Sequence, residues 1–219
     1  MSVVVDRVEV GLPPTNAAEP ASARERKKRE TRARIHRAAV ELALRGGQEV
    51  TVEEIAAAAD VSARTFFNYF PTKIDALLGH DPQTLEVLAE RLVARPPGEP
   101  LEVALRAVVM GHAAHLTADA ELWRMRRELA DRTPELAARI SGSGTRLEEA
   151  LVQAAFLRMG TDPATDIETG VTARAVMAAF RAALAQHRAA QMHGSILDRL
   201  DAAFIALSGV AFDAACAAK

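Results

Sequence analysis

Apolar residues recur at helical spacing over most of this chain, and the first such stretch runs from about residue 23 to residue 44. Residues three or four positions apart share one face of a helix, so the pattern predicts an amphipathic helix. Its apolar positions are Ile35, Ala38, Ala39, Leu42 and Ala43. Gly46 and Gly47 follow, and glycine readily takes the left-handed conformation in which helices end. Residues 1–22 hold three prolines and no sustained period, which favours a disordered arm.

Two short helices joined by a tight turn are predicted next. Thr51 and Glu54 have the spacing of a capping box, in which the threonine caps the helix and the glutamate reaches back to its backbone. Ser62 is suited to cap a second helix that runs from residue 63 to about residue 70. The side chains expected to close the core beneath the turn are Ile55, Val61 and Phe66. Together these features predict a helix-turn-helix.

The remaining pattern is helical as well. A helix that starts near Lys73 is interrupted at residues 79–82, where Asp81 has the position of a cap and Pro82 that of the first helical residue. Residues 95–100 form a proline-rich linker. Beyond it, the periodicity predicts helices at about 101–116, 118–131, 134–159, 164–190 and 195–217. Residues 141–144, Ser-Gly-Ser-Gly, fall inside the third, where each glycine costs about 1 kcal/mol relative to alanine. Whether the helix is kinked or split there stays open.

Composition supports a helical fold without a membrane span. The 219 residues include 46 alanines, and alanine loses least on entering a helix. The longest uncharged run near the C-terminus is 11 residues, whereas a membrane helix needs about 20. The N-terminus lacks the basic start and apolar stretch of a secretory signal, so we expect a cytoplasmic protein. The single cysteine, Cys216, excludes an internal disulfide framework and a multi-cysteine zinc site.

Charge is distributed unevenly along the chain. Residues 21–50 carry nine arginines or lysines against four glutamates, a net charge of +5, whereas the whole chain carries −2. A basic N-terminal segment on an acidic remainder fits binding to a polyanion through one end, and a solvated helix face is the alternative. Arg32, Arg34 and the cluster at residues 24–29 are expected to add non-specific attraction, the cluster as a flexible arm.

The stretch Thr51-Val52-Glu53-Glu54-Ile55-Ala56, followed by residues 61–73, Val-Ser-Ala-Arg-Thr-Phe-Phe-Asn-Tyr-Phe-Pro-Thr-Lys, resembles the tetracycline-repressor (TetR) family of transcriptional regulators. The resemblance spans roughly residues 30–80. Two positions depart from the family: Arg64 stands where many members carry glycine, and Phe67 where a tyrosine commonly contacts phosphate. The resemblance implies an all-α protein with an N-terminal three-helix bundle that contains the helix-turn-helix. A larger C-terminal helical domain for ligand binding and dimerisation would follow.

The same resemblance implies a division of the chain and a function. We expect a disordered arm at residues 1–22, a DNA-binding domain at 23–72, and a ligand-binding and dimerisation domain at 73–219. The implied function is a ligand-responsive regulator, in the simplest case a repressor, that binds an inverted repeat as a dimer and is released by a small, largely apolar effector. No catalysis and no cofactor are expected. An all-helical enzyme, or a small-molecule-binding protein without operator binding, is the alternative.

The expected contacts with double-stranded DNA come from the second helix of the motif and its surroundings. The first residues of a recognition helix point at base edges in the major groove. The planar fork of Arg64 matches guanine, so we expect base readout there, with phosphate contact alone as the alternative. Lys73 combines a positive charge with a helix N-terminus, and both favour phosphate. The full set is Arg34, Thr51, Ser62, Arg64, Thr65, Phe67, Asn68, Tyr69 and Lys73.

Large apolar side chains on the C-terminal helices are candidates for effector contact, although most such residues are core. They are Met110, Trp123, Met125, Phe156, Met177 and Phe180. A second basic cluster comprises Arg124, Arg126, Arg127 and Arg132. It is expected to be a solvated face toward the DNA-binding module, and a site for the carboxylate or phosphate of a ligand is the alternative. His112 and His115 share a helical face but lack a third ligand nearby, so no metal is expected.

The last two helices suit self-association as a homodimer. An apolar seam at 3-4-3-4 spacing comprises Leu197, Leu200, Phe204, Leu207 and Ala211. In the preceding helix, the alanines at 175, 178, 179, 182 and 183 would let two backbones approach closely. A four-helix interface between two copies would bury both surfaces. Packing of the seam within one chain is the alternative.

Overall fold

The computed structural model describes residues 23–216, and for Gln48 and residues 210–216 it describes the backbone alone. Every regular element in that part of the chain is a helix, which confirms the all-α prediction. The arm predicted at residues 1–22 lies outside it. No helix in the described ranges is long and apolar enough to cross a bilayer. The elements are α1 (Ala23–Gly46), a 3₁₀ turn (Gly47–Glu49), α2 (Val52–Ala58), α3 (Ala63–Tyr69), α4 (Lys73–Leu78), α5 (Thr84–Val93), α6 (Leu101–Leu116), α7 (Ala120–Arg132), α8 (Pro134–Met159), α9 (Ile167–Ala189) and α10 (Ile196–Cys216).

Helices α1–α4 enclose the first of three apolar clusters. Ile35 of α1, Ile55 of α2 and Phe66 of α3 belong to it and are fully buried, as is Phe70 just after α3. Val61, in the turn between α2 and α3, packs against the cluster from its edge. The side chains predicted to close the core beneath the turn therefore do so. This cluster fixes the position of α3 relative to α1.

Helices α5–α10 enclose the largest cluster. Helix α9 packs against α6, α8 and α10, and α5 packs along α8. The fully buried side chains at its centre include Leu92, Leu105, Leu151, Met177, Leu200 and Phe204. Arg158 fastens the linker before α6 to α8, because its two terminal nitrogens donate to four main-chain carbonyls at 2.6–3.4 Å. Those carbonyls belong to Leu92, Arg95, Pro96 and Glu99.

A third and smaller cluster connects these two parts. Ala43 of α1 and Leu78 of α4 meet Leu129 of α7 and Leu136 of α8 there. Helix α4 thus contributes to two clusters, since Ala76 faces the first and Leu78 the third. The end of α4 is therefore the place where the N-terminal helices and the α7–α8 corner share a packed core.

The long helices fall where the periodicity predicts them, with small differences at their starts. Helix α7 begins at residue 120 because Asp119 caps it, accepting the N–H of Leu122 at 3.0 Å. Helix α9 begins after Asp166, which accepts the N–H of Thr169 at 3.1 Å. A side-chain cap satisfies a backbone donor that the first turn leaves without a partner. Both aspartates therefore mark the boundaries that apolar spacing alone places two or three residues too early.

The cap predicted at Asp81 is wrong. The Asp81 carboxylate accepts the N–H of Gln83 at 3.1 Å, and its carbonyl accepts the N–H of Thr84 at 3.0 Å. These two bonds close a turn, so α5 begins at Thr84 and Pro82 lies in the turn before it. The break that precedes this turn is as predicted, because α4 ends at Gly79 in the left-handed conformation, with φ of 66°.

Residues 141–144 lie in the middle of α8, which runs unbroken from Pro134 to Met159. The question left open by the two glycines is thereby answered: the helix is not split. Leu136, Leu147 and Leu151 are buried on either side of the segment and hold the helix against its neighbours. Gly144 is half-buried, yet no atom lies within 4 Å of the position that a Cβ would take.

The apolar seam predicted for self-association packs inside the chain instead. Leu200 and Phe204 are fully buried in the α5–α10 cluster, and Leu197 and Leu207 pack against it. The side chain of Ala211 lies outside the described residues. Packing within one chain therefore accounts for this face, because α10 must cover α6 and α9 with its most apolar side. The outward side of α10 carries Ala202, Ile205, Ala206 and Gly209.

Candidate nucleic-acid interface

Side-chain caps define both helices of the helix-turn-helix. Thr51 Oγ1 accepts the N–H of Glu54 at 3.2 Å, and Glu54 Oε2 accepts the N–H of Thr51 at 2.8 Å, which completes the predicted capping box. The bonds that this carboxylate accepts hold the pKa of Glu54 below its usual value. Ser62 Oγ accepts the N–H of Thr65 at 3.1 Å and starts α3. Between the helices, Asp60 takes a left-handed φ of 53°, a conformation that aspartate tolerates.

One face of α3 points away from the protein. Phe66 is fully buried, whereas Arg64, Phe67 and Asn68 are exposed. Residues three and four apart share a face, so these three side chains project together. The Phe67 side chain is 54% exposed, and its ring meets the Phe66 ring edge-on with centroids 5.4 Å apart. A guanidinium, an aromatic ring and an amide thus stand on the outer side of a short helix, an arrangement that fits a major groove.

The three hydroxyls predicted to contact DNA already take part in caps. Thr51 donates its hydroxyl hydrogen to Glu54 Oε2 at 2.9 Å, and a hydroxyl has only one hydrogen to donate. Phosphate oxygens are acceptors, so Thr51 would have to give up that bond to contact phosphate. Ser62 Oγ and Thr65 Oγ1 lie 2.9 Å apart, and one of them donates to the other. One hydroxyl of this pair retains its hydrogen for an outside acceptor.

Lys73, Arg34 and Tyr69, which are also predicted to contact DNA, differ in their burial and in their contacts with the rest of the protein. Lys73 is half-buried at the start of α4, and its Nζ donates to the carbonyl of Val50 at 2.9 Å. Arg34 is exposed on α1 and lines a shallow groove beside the end of α2. Tyr69 is half-buried and packs against the α1–α4 cluster.

Arg32 holds the motif together from inside. Its Nη1 donates to the carbonyl of Tyr69 at 2.7 Å, its Nη2 donates to the carbonyl of His80, and its guanidinium lies 4.2 Å from the centre of the Phe70 ring. These contacts engage both terminal nitrogens of Arg32, so its side chain is held inside the motif, and the non-specific attraction of its charge for DNA stays a prediction. The basic residues at 24–29 are exposed, but they lie within helix α1, so the flexible arm predicted there is wrong.

Helix α1 touches the end of α4 through His36, a residue that the sequence reasoning missed. His36 Nδ1 lies 2.7 Å from the carbonyl oxygen of Ala76. A Cβ at Gly79 would stand 2.6 Å from His36 Nε2, far inside van der Waals contact. Burial is the main cause that lowers the pKa of His36 to about 4. His36 stands four residues after Arg32 in α1, so the two side chains share one helix face. This spacing is the only sign in the sequence that His36 contacts the end of α4.

Arg37 and Arg126 provide polar contacts between α7 and the N-terminal helices, and Arg37 Nη1 lies 3.4 Å from Glu121 Oε2 of α7. Arg37 of α1 forms an ion pair with Asp119 at the start of α7. Arg126 of α7 donates from Nη1 to the carbonyl of Leu78 at 3.0 Å, at the end of α4. The second basic cluster is predicted to be a solvated face toward the DNA-binding module, and Arg126 does point toward the N-terminal helices but is half-buried rather than solvated. Burial lowers the pKa of this guanidinium to about 10. The exposed members of that cluster are Arg124 and Arg132.

The six candidate effector residues form a buried and a half-buried group. The buried group comprises Phe156, Met177 and Phe180, all in the α5–α10 cluster. The half-buried group comprises Met110, Trp123 and Met125. Met110 and Trp123 pack against the edge of the cluster, and the Trp123 ring stacks on His187 with centroids 5.1 Å apart. The half-buried group is the one that a ligand can reach without opening the core.

A cavity of about 360 Å³ lies between the N-terminal helices and the α7–α8 corner. Its apolar lining includes Ala43, Ile74, Leu77, Leu129 and Leu136, and Lys73 and Arg132 also line it. None of the six candidate effector residues borders this cavity. Of the two histidines considered for a metal, His112 is half-buried beside Phe180 and His115 is exposed. Among the side chains that the structure describes, no three of His, Cys, Asp or Glu are grouped to hold a metal ion.

Two segments of the chain match known protein families. Residues 35–78 match the family described as bacterial regulatory proteins, tetR family. Residues 99–211 match the MftR C-terminal domain. The first match runs from the middle of α1 to the end of α4 and contains the whole helix-turn-helix. The second runs from the linker before α6 into α10 and contains the half-buried candidate effector residues.

Individual relatives cover most of the chain. The HTH-type transcriptional regulator TcmR of Streptomyces glaucescens is 33% identical over 186 residues, which are 81% of this chain and 80% of that protein. A TetR-family regulator structure from Mesorhizobium loti MAFF303099 aligns with a TM-score of 0.51 at 19% identity, over 84% of this chain and 98% of that one. NalD, the secondary repressor of the MexAB-OprM multidrug efflux pump in Pseudomonas aeruginosa, aligns with a TM-score of 0.51 at 19% identity, over 81% and 95% of the two chains. The two structural likenesses support the fold.

Proposed function

This chain belongs to the TetR family of bacterial regulatory proteins, and from that premise we propose that it represses transcription by binding an inverted repeat in DNA as a homodimer. A small, largely apolar effector bound among the C-terminal helices releases the protein from DNA. The observation that carries this proposal is the outward face of α3, on which Arg64, Phe67 and Asn68 stand exposed above a fully buried Phe66. The action takes place in the cytoplasm, where bacterial DNA lies, and involves no catalytic step.

The DNA contacts follow from the placement of α3. Ser62 fixes the start of the helix and the buried aromatic residues fix its base, so the outward side chains are held rather than mobile. Arg64, in the first turn, is placed to donate two parallel hydrogen bonds to O6 and N7 of a guanine. Phe67 and Asn68, one turn further on, contact the sugar-phosphate backbone and a base or phosphate. The exposed basic residues of α1 add attraction that depends on salt and not on sequence.

We infer that the dimer forms through the outward faces of α9 and α10. Large apolar side chains are exposed there: Ile167 by 79%, Val171 by 58% and Ile205 by 70%. Exposed apolar surface of this kind marks a protein interface. The exposed residues of α10 around Ile205 are Asp201 and the small Ala202, Ala206, Ser208 and Gly209, and small side chains let two helices approach closely. Because α9 and α10 pack against each other, two copies would form a four-helix interface with two-fold symmetry. The two α3 helices would then enter major grooves about one turn apart, roughly 34–36 Å.

The effector acts, on this proposal, through α7. Met110, Trp123 and Met125 offer an apolar surface at the edge of the C-terminal core. Helix α7 also carries Arg126, which bonds the end of α4, so a shift of α7 bears directly on the helix-turn-helix. Coupling between an effector and DNA binding typically changes affinity 5–150-fold, or about 1–3 kcal/mol.

Footprinting on the DNA upstream of the protein's own gene tests the proposal. We expect a protected inverted repeat, and small molecules that dissolve this complex should also change the emission of Trp123, the only tryptophan of the chain. Protein with Arg64→Ala and Asn68→Ala together serves as the control that retains the fold but loses the specific footprint. If no upstream fragment is protected while small molecules still change the Trp123 emission, the alternative of a ligand-binding protein or a helical enzyme is favoured.

A further inference from the structure

Arg126 is a buried cation without a counter-charge. Its Nη1 donates to the carbonyl of Leu78 at 3.0 Å, and its Nε is enclosed without a hydrogen-bond partner. Among the ion pairs of the described residues, none includes Arg126. Charged groups that leave water are normally paired, since an isolated buried charge is costly. The half-buried guanidinium of Arg126 therefore carries a charge that no ion pair of the described residues balances.

Arg126 makes fewer hydrogen bonds than the other two enclosed arginines, Arg32 and Arg158. Arg32 and Arg158 also have an Nε without a partner, but each of them uses both terminal nitrogens on main-chain carbonyls. Arg126 uses only one terminal nitrogen. Because Nε is enclosed and Nη1 is engaged, Nη2 is the nitrogen of Arg126 that remains to donate to a carboxylate or a phosphate.

A second arginine and a histidine lie near Arg126. The Leu78 carbonyl that Arg126 contacts stands two residues before His80 in the chain. The positive charges of Arg126 and Arg146 both lower the pKa of His80, although burial is the larger cause. Arg146 Nη2 donates to Ser143 Oγ at 3.2 Å, and that oxygen lies 3.3 Å from His80 Nδ1. Arg146 is exposed whereas Arg126 is enclosed, so the pair leads from the surface inward.

Space for a ligand group exists on α8 next to these residues. Gly144 follows Ser143, is half-buried, and has no atom within 4 Å of its missing Cβ. A glycine in the middle of a helix destabilises it by about 1 kcal/mol relative to alanine. No residue packed against Gly144 requires the absence of a side chain. The open space at Gly144 thus adjoins Ser143, the residue that accepts a bond from Arg146.

We propose that Arg126 and Arg146, beside His80, bind the carboxylate or phosphate group of a small-molecule effector. This inference rests on the proposed ligand-responsive function and names the chemical class of the effector: an apolar body with one anionic group. The anion accepts a hydrogen bond from Nη2 of Arg126, and the apolar part of the effector extends along α7 toward Trp123. Because Nη1 of the same guanidinium bonds the end of α4, occupation of the site acts directly on the junction with the helix-turn-helix.

Decanoate and decan-1-ol provide a test, because they share an apolar tail and differ in charge, and inorganic phosphate serves as an anion without a tail. Binding to the full chain is followed by thermal denaturation and by Trp123 emission. We expect decanoate to raise the Tm and change the emission much more than decan-1-ol does, and phosphate to raise the Tm at higher concentration. Arg126→Gln should weaken decanoate binding roughly tenfold to a hundredfold. Arg124→Gln, an exposed residue of the same helix, should leave it unchanged.

Further variants keep the test decisive if Arg126→Gln fails to fold. Arg146→Gln changes an exposed side chain and should weaken decanoate binding several-fold, and Gly144→Leu should block it by filling the open space while both arginines stay. Equal responses to decanoate and decan-1-ol, no response to either anion, or unchanged binding in Arg146→Gln and Gly144→Leu would overturn the proposal. Upstream DNA binding is measured without any probe. If the unaltered protein binds decanoate but no upstream DNA, the proposed function is refuted. If it binds upstream DNA but no anion, only the anion site is refuted.

Discussion

At the scale of single residues, enclosed arginines serve the backbone of this protein. Arg32, Arg126 and Arg158 all donate to main-chain carbonyls near helix ends, where the helix leaves such oxygens without partners. Arg37 is engaged as well, in an ion pair with Asp119. A count of basic residues over 21–50 therefore overstates the charge that faces DNA, because Arg32 and Arg37 are among the nine and are engaged in contacts within the protein.

Arg64 provides the first prediction at this scale. Arg64→Lys keeps the positive charge but loses the planar pair of donors that matches guanine. We expect binding to lose about 1–3 kcal/mol of discrimination at one base pair of each half-site, with non-specific affinity nearly unchanged. Quantitative gel shifts on operators varied one position at a time measure this. An unchanged base preference in both Arg64→Lys and Arg64→Ala would mean that Arg64 contacts phosphate alone.

Lys73 provides the second prediction, which separates two roles of one ammonium. Lys73→Met keeps the apolar stem and removes both the bond to the Val50 carbonyl and any phosphate contact. We expect the slope of log affinity against log salt to fall by about one phosphate for each half-site. The free energy of unfolding should fall by about 1 kcal/mol through the lost bond. A salt dependence equal to that of the unaltered protein would leave Lys73 with its structural role only.

At the scale of elements, α4 is the connecting piece. It is six residues long, it packs into two apolar clusters, and its C-terminal carbonyls accept bonds from α1 and α7. A helix this short has little stability of its own, so its position depends on these contacts. Any movement of α7 must therefore be followed by α4 or must break the bond between Arg126 and Leu78.

Gly79 and Gly160 offer a matched pair for testing this connection. Both end a helix with φ of 66°, but only at Gly79 would a Cβ meet another residue, namely the imidazole of His36. Alanine at either position should cost about 1–2 kcal/mol through the left-handed conformation. Gly79→Ala should cost a further 1–3 kcal/mol, roughly, through the overlap with His36.

Urea unfolding measures the two costs, and a double-mutant cycle with His36→Ala isolates the contact, because the extra cost should disappear when the imidazole is absent. Equal costs at the two glycines would contradict the contact. The same variant tests Gly79 as the hinge that transmits the effector signal. If Gly79→Ala leaves ligand-driven release from DNA unaltered, the hinge lies elsewhere.

The elements were largely predictable from the sequence, and the contacts among them were not. Thr51, Ser62 and Gly79 act on their own neighbours, so their spacing along the chain was enough to place α2, α3 and the end of α4. The partners of Arg32 and Arg126 lie 37 or more residues away, and no local pattern identifies them. The seam on α10 shows the same limit: periodicity identifies an apolar face but not which surface will cover it.

At the scale of the whole molecule, the outward faces of α9 and α10 are expected to set the oligomeric state. Ile205→Glu would place a carboxylate from each copy inside the proposed interface, where an unpaired buried charge costs about 3–5 kcal/mol. We expect mostly monomer by sedimentation, an unchanged helical circular dichroism spectrum, and a corresponding loss of operator binding. Val103→Glu, at a residue of α6 that is 47% exposed, is the control that should remain dimeric. A fully dimeric Ile205→Glu protein would exclude this face as the interface.

Three enclosed histidines predict how stability depends on pH. Burial is the main cause that lowers the pKa of His36, His80 and His112 to about 4. In the unfolded chain these groups titrate near 6.5, so between about 6.5 and 4 the unfolded state binds more protons than the folded state. The free energy of unfolding should therefore fall as the pH is lowered through this range, by at most about 1.4 kcal/mol per pH unit for each histidine.

Urea unfolding at a series of pH values measures this slope. His36→Gln keeps a donor for the Ala76 carbonyl but removes the titration, so its stability should fall less steeply with acid. His193→Gln, at an exposed position, should follow the unaltered protein. A stability that does not change between about pH 6.5 and 4, or the same slope in His36→Gln, would contradict burial of these groups in neutral form.

The close fit of His36 against Gly79 also bears on how such regulators can be recombined. A chimaera that joins the DNA-reading helices of one protein to the sensor of another would have to transfer the imidazole and the glycine as a unit, although 43 positions separate them in the chain. If the junction of the chimaera lies between His36 and Gly79, the α1 surface of one parent packs against the α4 end of the other, and the two need not be complementary. Grafts that keep both partners from one parent should give the chimaeras that fold and still respond to a signal.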